Sequence, residues 1–313
     1  MTMPEFEDDP MFAAHDHDET EALVTVRDWV RYAVTRLESE EAFYGHGCED
    51  VIDEAVWLVS GALKLPRERL EWFLDASLTE SERQRLAELV ERRAVDKVPT
   101  AYLLNEAWLG PFRFYVDERV IVPRSFLAEL LEERFSPWIE QPEAIHRVLD
   151  LCTGSGCLAI VAAYAFPQAE IVAADLSDEA LEVARINVEA YGLQDRVRLL
   201  RSDVFSALAG EPFDLIVSNP PYVTAQAMAE LPQEYRHEPT IALAAGEDGL
   251  DVVRRILAGA KRYLTPQGWL AVEVGHNRAL VEAAFPELPF TWLATETAED
   301  KVFLLPASAL WKR

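Results

Sequence analysis

The run from Phe213 to Tyr222 (FDLIVSNPPY) constrains the fold of this chain more than any other stretch. Its apolar part suits a central parallel strand that is covered on both faces of a sheet. Two consecutive prolines cannot continue a strand, because neither has an N–H to donate, so the strand must end at Asn219. The run predicts a side-chain carboxamide and free backbone carbonyls at the carboxyl end of a strand, where open α/β sheets bind ligands. Taken alone, the motif fits a plain loop equally well.

Strands and helices alternate from about residue 145 onward, which is typical of a parallel sheet with helices on both faces. The strands that we predict cover 146–151, 170–175, 196–200, 213–218 and 269–274, with a closing antiparallel pair at 290–296 and 302–305. Predicted helices begin at Cys157 and at Asp178, the latter capped by Ser177, and another follows Ser125 as its cap. The fold class is therefore α/β, with a Rossmann-like sheet domain.

The rest of the chain divides into three further segments by composition and periodicity. Residues 1–20 are acidic and aperiodic, which predicts disorder. Residues 21–95 carry apolar side chains at three- and four-residue steps, which predicts a small helical bundle. Residues 96–124 contain aromatic and β-branched side chains around Gly110-Pro111, which predicts a β-hairpin connector to a domain over 125–313.

Charge and cysteine content bear on the partners of the chain. A net charge of −26 over 313 residues disfavours unaided binding to nucleic acid and favours a basic protein partner, although a generally acidic proteome would explain it equally well. Three cysteines, Cys48, Cys152 and Cys157, do not form a disulfide framework, so we expect a cytoplasmic protein. We expect no membrane segment, no signal peptide and no metal site.

A cofactor site is predicted at successive strand ends. The turn Cys152-Thr153-Gly154-Ser155-Gly156 follows Asp150 and the first strand, and its glycines let a ligand approach the backbone. Asp175 ends the next strand and can accept both hydroxyls of a ribose, which suits NAD or S-adenosylmethionine. Asp203-Val204, at the end of the third strand, suits the amine and the face of an adenine. Asn219 and the prolines then offer an amide- or amine-binding acceptor site that hydride transfer does not need, which favours S-adenosylmethionine.

These motifs resemble a known family. Residues 145–305 resemble the seven-stranded S-adenosylmethionine-dependent methyltransferases, and the Asn219–Tyr222 motif (NPPY) is similar to that of members that methylate a planar nitrogen. The helical N-terminal segment, Val122-Pro123-Arg124 and residues 242–250 (ALAAGEDGL) resemble the protein glutamine methyltransferases. One branch of that family modifies peptide-chain release factors and the other modifies the third large-subunit (50S) ribosomal protein. Ser125-Phe126 after Arg124, with residues 102–104 and 106–108 upstream, resembles the ribosomal-protein, PrmB-type branch.

The resemblance implies a methyl transfer to a glutamine side-chain amide, with S-adenosylmethionine as cofactor and a basic ribosomal protein as substrate. The helical segment would then recognise the substrate. Our candidate cofactor residues are Asp150, Cys152, Thr153, Gly154, Ser155, Gly156, Asp175, Asp203, Val204 and Asn219. Substrate-binding candidates are Asn219, Pro220, Pro221 and Tyr222, of which Asn219, Pro220 and Tyr222 are also the catalytic candidates. A release-factor methyltransferase and, with less support, a nucleic-acid amino methyltransferase or a non-catalytic scaffold remain alternatives. Glu273 and His276 either face the site or only pack at a strand end.

Overall fold

A computed structural model describes residues 18–210 and 212–311. The predicted disordered tail falls mainly outside these residues. Contacts divide the chain after Leu104 into a helical unit and a unit that begins at Asn105, which we call the sheet unit. Within the described residues, no helix is both long enough and apolar enough to cross a membrane.

The helical unit has the predicted amphipathic helices around one apolar core. Its helices are α1 (Asp18–Glu21), α2 (Val26–Ser39), α3 (Val51–Leu63), α4 (Glu80–Ala94) and α5 (Thr100–Leu104), with a 3-10 helix at Arg67–Phe73. Capping boxes at Thr25 and Thr79 satisfy the first free N–H groups of α2 and α4. Trp29, Leu58 and Leu86 are fully buried in the core. The segment after Leu65-Pro66 is this short 3-10 helix rather than an α-helix, and only Leu70 within it is buried.

A buried ion pair crosses the core of the helical unit. Arg93 Nε donates to Glu54 Oε1 at 2.6 Å, and the Thr100 hydroxyl donates to the same oxygen at 2.7 Å. Arg93 also donates to the carbonyl of Phe43 at 2.8 Å. Because buried charges are tolerated only when they are paired and hydrogen-bonded, these contacts tie α3, α4 and α5 together in one arrangement.

The sheet unit contains a hairpin and a seven-stranded sheet among its described residues. Its strands are β1 (Ala107–Leu109), β2 (Phe112–Phe114), β3 (Arg147–Leu151), β4 (Glu170–Asp175), β5 (Val197–Arg201), β6 (Phe213–Ser218), β7 (Leu264–Glu273), β8 (Thr291–Ala294) and β9 (Glu299–Pro306). Its α-helices are α6 (Leu127–Glu132), α7 (Cys157–Ala165), α8 (Asp178–Ala190), α9 (Ala225–Glu230), α10 (Asp251–Tyr263), α11 (Arg278–Ala284) and α12 (Ala307–Leu310). Further 3-10 helices cover Pro142–Ala144, Gln233–His237 and Thr240–Ala242.

The strand order places a ligand crevice at the predicted edge of the sheet. The order is β5-β4-β3-β6-β7-β9-β8. Among the strands of the described residues, β9 runs in the direction opposite to the other six strands of this sheet. The direction of chain progression reverses between β3 and β6, and such a switch point opens a crevice at the carboxyl ends of the strands. Leu151 and Ser218 are register partners there, and the Ser218 hydroxyl donates to the Leu151 carbonyl at 2.8 Å. The predicted α/β fold is thus confirmed.

The boundaries of the predicted connector differ from the structure. Residues 100–104 form α5 of the helical unit, and the hairpin, at 107–114, belongs to the sheet unit. The reason is that α8 binds the hairpin: Tyr191 Oη accepts the Arg113 N–H at 2.9 Å, and Asn187 Oδ1 accepts the Tyr115 N–H at 2.7 Å. Phe112 and Phe114 of the hairpin also pack against Tyr191, within the same unit.

One predicted helix cap is also different. Helix α6 begins at Leu127, so Ser125 lies two residues before it rather than at its cap. The Ser125 hydroxyl does accept the Leu127 N–H at 3.2 Å, but it donates its own hydrogen to Glu273 at the end of β7. Ser125 is thus held by a long-range contact as well as by the local one. Ser177 caps α8 as predicted, accepting the N–H of Ala180.

Candidate active site

Two neighbouring cavities open at the carboxyl ends of the central strands. The first, with an empty volume of about 930 Å³, lies beside the ends of β3, β4 and β5, and we call it the cofactor cavity. The second, with an empty volume of about 1130 Å³, lies beside the segment that follows β6, and we call it the substrate cavity. Both are open to solvent. Asn219 lines both cavities, as do Ile121 and Ala242, so the wall between them includes the start of the NPPY motif.

The glycine turn after β3 forms one side of the cofactor cavity. Gly154 has φ +54°, and a Cβ built on it would meet no atom within 4 Å, so its backbone faces open space. Gly156 has φ +78°, and a Cβ there would lie 3.2 Å from the Cβ of Ala184 in α8. One glycine therefore exposes backbone to a ligand, while the other lets helix α8 approach the turn.

Asp175, at the end of β4, is hydrogen-bonded to this turn. Its Oδ2 accepts the Gly154 N–H and its Oδ1 accepts the Ser177 N–H, each at 2.9 Å. Burial raises the pKa of Asp175 above its ordinary value, although these backbone N–H donors lower it. The carboxylate lines the cofactor cavity, where its remaining lone pairs can accept hydroxyl hydrogens.

The end of β5 supplies the opposite part of the cavity. Asp203 and Val204 both line it, and Val204 has φ +54°, which turns the chain sharply. Asp203 Oδ2 pairs with Arg255 of α10 at 2.7 Å. The carboxylate that we predicted to face an adenine amine is thus also held by a guanidinium, a contact that the sequence did not indicate.

The structure divides the predicted cofactor residues into two groups. Those that line the cofactor cavity are Cys152, Gly154, Asp175, Asp203, Val204 and Asn219. Those that do not line it are Asp150, at the end of β3, and Thr153, Ser155 and Gly156 of the turn itself. The Thr153 hydroxyl donates to Asp150, and the Ser155 carbonyl accepts Asn187 Nδ2 at 2.9 Å. These residues support the shape of the turn from within the protein.

Asp150 is fully buried, and its second carboxylate oxygen has no hydrogen-bond partner among the described residues. Burial, with the nearby charge of Asp175, raises the pKa of Asp150 to about 7, while the Thr153 hydroxyl opposes this effect. A carboxyl group that protonates so readily suits a site with few donors, because the neutral form loses less on burial.

The predicted substrate residues flank the wall between the cavities. Asn219, Pro220 and Tyr222 line the substrate cavity, whereas Pro221 faces the cofactor cavity. The Asn219 carboxamide forms no hydrogen bond with any described residue, and neither does the Pro220 carbonyl. Both therefore remain available to a ligand. An amide oxygen and a carbonyl oxygen together match a group that carries two N–H hydrogens.

The segment after NPPY is held by residues 242–250, which were part of the family resemblance. Val223 N–H donates to the Leu243 carbonyl at 2.9 Å, and Ala245 N–H donates to the Val223 carbonyl at 3.0 Å. Gly249 has φ +75°, and a Cβ on it would lie 2.4 Å from the Tyr222 carbonyl oxygen. Only glycine allows this close approach, so the segment clamps the chain immediately beyond the acceptor motif.

Tyr222 is fixed from the other side by the turn after β7. Asn277 Nδ2 donates to the Tyr222 carbonyl at 2.7 Å. The Tyr222 ring packs on Gly275, where a Cβ would lie 2.7 Å from the ring. The Tyr222 hydroxyl lies 3.4 Å from Glu273 Oε1. Glu273 therefore faces the site through Tyr222, and His276 lines the substrate cavity directly.

Arg124 is a further residue of the substrate cavity, and the sequence indicated it only as part of a connector motif. Its guanidinium donates to both carboxylate oxygens of Glu238 at 2.5 and 2.6 Å. The Glu238 side chain is fully buried and also accepts the Val122 N–H at 2.9 Å. The ring of Tyr235 lies 5.4 Å from the guanidinium. These contacts hold the segment around the 3-10 helix Gln233–His237 against the Val122–Arg124 segment. Of the three side chains in these contacts, the sequence had indicated only Arg124.

The chemistry of the first cavity fits a nucleoside-containing cofactor. Open backbone at Gly154 can approach a polar chain, Asp175 can accept ribose hydroxyls, and the buried Val204 offers an apolar contact for a base. No cluster of side chains suited to a metal ion occurs among residues 18–210 and 212–311. The three cysteines are free, and burial raises the pKa of each thiol, to about 12 for Cys48 and Cys157. Cys48 and Cys157 are buried, whereas Cys152 is partly exposed and lines the cofactor cavity.

Comparisons with known proteins identify the family of the chain. The methyltransferase small domain family matches residues 125–235, and the PrmC N-terminal domain family matches residues 28–104. The "Ribosomal protein uL3 glutamine methyltransferase" of Neisseria gonorrhoeae is 54% identical over 288 residues, covering 92% of this chain and 96% of that protein. The proteins of the same name from Bordetella pertussis and Bradyrhizobium diazoefficiens are 53% and 49% identical, each covering 92% of this chain, and 97% and 92% of their own length.

Among solved structures, the hMettl16 catalytic domain in complex with a MAT2A 3′UTR hairpin aligns with a TM-score of 0.47 at 16% identity, covering 72% of this chain and 82% of that one. The relatives at about 50% identity confirm the predicted family and its ribosomal-protein branch. They span nearly the whole chain, including the helical unit and the sheet unit. The chain therefore belongs to the family of ribosomal protein uL3 glutamine methyltransferases.

Proposed function

We propose that this protein transfers a methyl group from S-adenosylmethionine to the side-chain amide nitrogen of a glutamine in ribosomal protein uL3. The observation that carries the proposal is the position of Asn219, whose carboxamide lines both cavities and forms no hydrogen bond with the described residues. A hydrogen-bond acceptor at this boundary suits a reaction in which a methyl donor in the cofactor cavity meets a nucleophile in the substrate cavity. Relatives named for this activity support the choice of substrate.

The chemistry requires placement rather than a strong base. A glutamine amide nitrogen is a poor nucleophile, because its lone pair is delocalised into the carbonyl. S-adenosylmethionine supplies an electrophilic methyl group on a sulfonium, and the neutral thioether that remains after methyl transfer is a good leaving group. Asn219 Oδ1 and the Pro220 carbonyl accept the two amide hydrogens, which turns the nitrogen lone pair towards the cofactor cavity. Tyr222 packs against the amide plane. The new N–C bond forms as the C–S bond breaks, and the surplus amide proton leaves to solvent.

Two alternative substrates can be separated in one experiment. Labelled S-adenosylmethionine is offered with purified uL3, release factors and duplex DNA, and the modified residue is located by mass spectrometry. Methylation of a uL3 glutamine supports the proposal. Label on a release factor would move the protein to the other branch, and label on DNA would overturn glutamine methylation. The charge of −26 disfavours DNA, because it repels the phosphate backbone.

We also propose that the helical unit recognises a basic substrate through the segment Arg67–Asp75. Trp72 in this segment is 80% exposed, although large aromatic side chains are usually buried. Glu68, Glu71 and Asp75 are exposed in the same segment, as are Arg67 and Arg69. Asp75 also pairs with Arg27 at 3.2 Å. An exposed ring beside carboxylates suits the arginine and lysine side chains of a ribosomal protein, which can stack on the ring and pair with the acids.

The test compares a protein substrate with a short one. W72A should lower kcat/KM for full-length uL3 by roughly tenfold, in line with the loss of a stacked cation and its contact area. It should leave methylation of a short glutamine peptide from uL3 unchanged. W311A removes another exposed tryptophan, from the sheet unit, and is the matched control. Equal losses with full-length uL3 and with the short peptide would indicate that W72A impairs folding and would contradict a role of Trp72 in substrate recognition.

A cytoplasmic location is part of the proposal, because free cysteines and a ribosomal substrate both suit a reducing compartment. Fractionation of cells that express the protein, followed by immunodetection, tests it. Recovery with the membrane or exported fraction would contradict it.

A further inference from the structure

We propose that Glu273, together with Ser125, is a positioning residue that sets the orientation of Tyr222 in the substrate cavity. Neither residue touches the cavity itself, since neither is among its lining side chains. The inference rests on the proposed function for the identity of the substrate. The network is a feature of the structure and can be tested independently.

Glu273 joins three separate parts of the sheet unit. It is the last residue of β7 and is 1% exposed. Its Oε2 accepts the Ser125 hydroxyl at 2.6 Å and the Phe126 N–H at 3.0 Å. Its Oε1 faces the Tyr222 hydroxyl at 3.4 Å. One carboxylate therefore links the segment before α6, the end of β7 and the NPPY motif.

All of these contacts are donated to the carboxylate, and none is an ion pair. Among the described residues, no lysine, arginine or histidine lies within salt-bridge distance of Glu273. Because no cation offsets its desolvation, burial raises the pKa of Glu273 to about 7, so the ionised form is costly at this position. Its position beside the substrate cavity therefore favours a role in the site over a role in stability.

Tyr222 is the member of the network that reaches the substrate. Its ring already rests on Gly275 and its carbonyl is held by Asn277, so its position along the chain is set. The contact between the Tyr222 hydroxyl and Glu273 then restricts the motion that remains, which is the rotation and tilt of the ring. A ring that packs against the amide plane controls the direction of the nitrogen lone pair. Small errors in that direction reduce turnover strongly.

Ser125 connects this network to the Pro123-Arg124 motif. Its hydroxyl donates to Glu273 while accepting the Leu127 N–H at 3.2 Å, so its own orientation is set from both sides. Arg124, the preceding residue, lines the substrate cavity. Ser125 therefore couples the wall that carries Arg124 to the carboxylate that holds Tyr222.

The test uses E273Q, Y222F and the double variant. The glutamine oxygen of E273Q satisfies the two tighter donors, Ser125 and Phe126. Its NH₂ group cannot accept the Tyr222 hydroxyl hydrogen and can only donate to the Tyr222 oxygen, so the direction of that contact is reversed. We expect kcat with uL3 to fall on the order of tenfold, as for a misplaced positioning group. The KM for uL3 and the dissociation constant of S-adenosylmethionine should stay within about twofold of the wild-type values, because neither docking surface changes.

The double variant distinguishes positioning from general structure. If Glu273 acts through Tyr222, E273Q/Y222F loses no more kcat than the more severe single variant. S125A should show a smaller loss of the same kind. The matched control is D214N at the opposite end of β6, where the Asp214 carboxylate also accepts two backbone N–H groups and a threonine hydroxyl. D214N should leave kcat unchanged.

Hydrogen exchange provides a readout that is independent of the substrate. The Phe126 amide donates to Glu273, so it should exchange faster in E273A, which removes the acceptor, and at close to the wild-type rate in E273Q, which keeps one oxygen for it. D214N should not change it. Multiplying losses in the double variant, or a wild-type kcat in E273Q, would overturn the inference. Failure of the wild-type protein to methylate uL3, with the exchange result as expected, would overturn the proposed function and leave the network intact.

Discussion

The Asp175 carboxylate accepts the Gly154 N–H at 2.9 Å, so the end of β4 holds the glycine turn that follows β3. The same side chain also accepts the N–H of Ser177, the cap of α8. Asp175 thus shapes the cofactor cavity while lining it. A change at this residue therefore affects the turn and the ribose acceptor together.

D175A should weaken S-adenosylmethionine binding without changing the identity of the product. Loss of a charged hydrogen-bond acceptor costs about 1.5–3 kcal/mol, so we expect the dissociation constant to rise roughly tenfold to a hundredfold. Isothermal titration calorimetry measures it. D175N keeps one oxygen for the Gly154 N–H and should lose less. An unchanged affinity in D175A would remove Asp175 from the cofactor site.

N219A should have the opposite signature. Removal of a preorganised group that acts only on the reacting amide costs roughly a hundredfold to a thousandfold in kcat, while cofactor affinity should remain close to wild type. Single-turnover methylation of uL3 and calorimetry with S-adenosylmethionine measure the two quantities. Equal losses in both would mean that Asn219 supports the shape of the wall and does not bind the substrate amide.

R124M should destabilise the sheet unit by about 3–5 kcal/mol, because it leaves the fully buried Glu238 without its bidentate partner. R124K should not restore stability, since an ammonium cannot make two parallel bonds to a carboxylate. The double variant R124M/E238Q should be more stable than R124M, because no buried charge is left unpaired. Urea unfolding followed by circular dichroism gives the three values. A loss below about 1 kcal/mol for R124M would contradict a buried, mutually dependent pair.

Stability should fall as the pH rises from about 5 to 8. Burial raises the pKa of both Asp150 and Glu273 to about 7, so the folded protein keeps two protons that the unfolded chain releases near pH 4. In this window the native state binds more protons, and the free energy of unfolding therefore decreases with pH. Asp175, whose pKa is also raised, acts in the same direction.

Denaturant midpoints at pH 5, 6, 7 and 8 measure this slope. D150N and E273Q should each make it shallower, because each removes one of the groups that titrate there. Backbone and side-chain hydrogen bonds lower the pKa values of Asp28, Glu82 and Asp248. The stability that these three carboxylates contribute is therefore lost only below this pH window. A slope in D150N and E273Q as steep as in the wild type would show that other groups determine it.

Strand ends were predictable because their signals are local. Pro220 and Pro221 cannot donate to a ladder, so β6 ends at Ser218 wherever it lies in the sheet. Gly154 and Gly156 take positive φ where the turn requires it, and a change of apolar period marks each strand and helix. The connector boundary was harder to place, because the aromatic pattern of the hairpin does not show that Tyr191 and Asn187 will bind it.

The amino-acid sequence by itself determined the order of strands and helices, the acceptor motif at Asn219 and, through its motifs, the family. Only the tertiary structure decided how that motif is held. Glu273 lies 148 positions from Ser125, and Glu238 lies 114 positions from Arg124. Such pairs form because the strand order brings segments that are far apart in the chain to one edge of the sheet. Local periodicity describes which face a residue occupies, and it carries no information about which distant partner shares that edge.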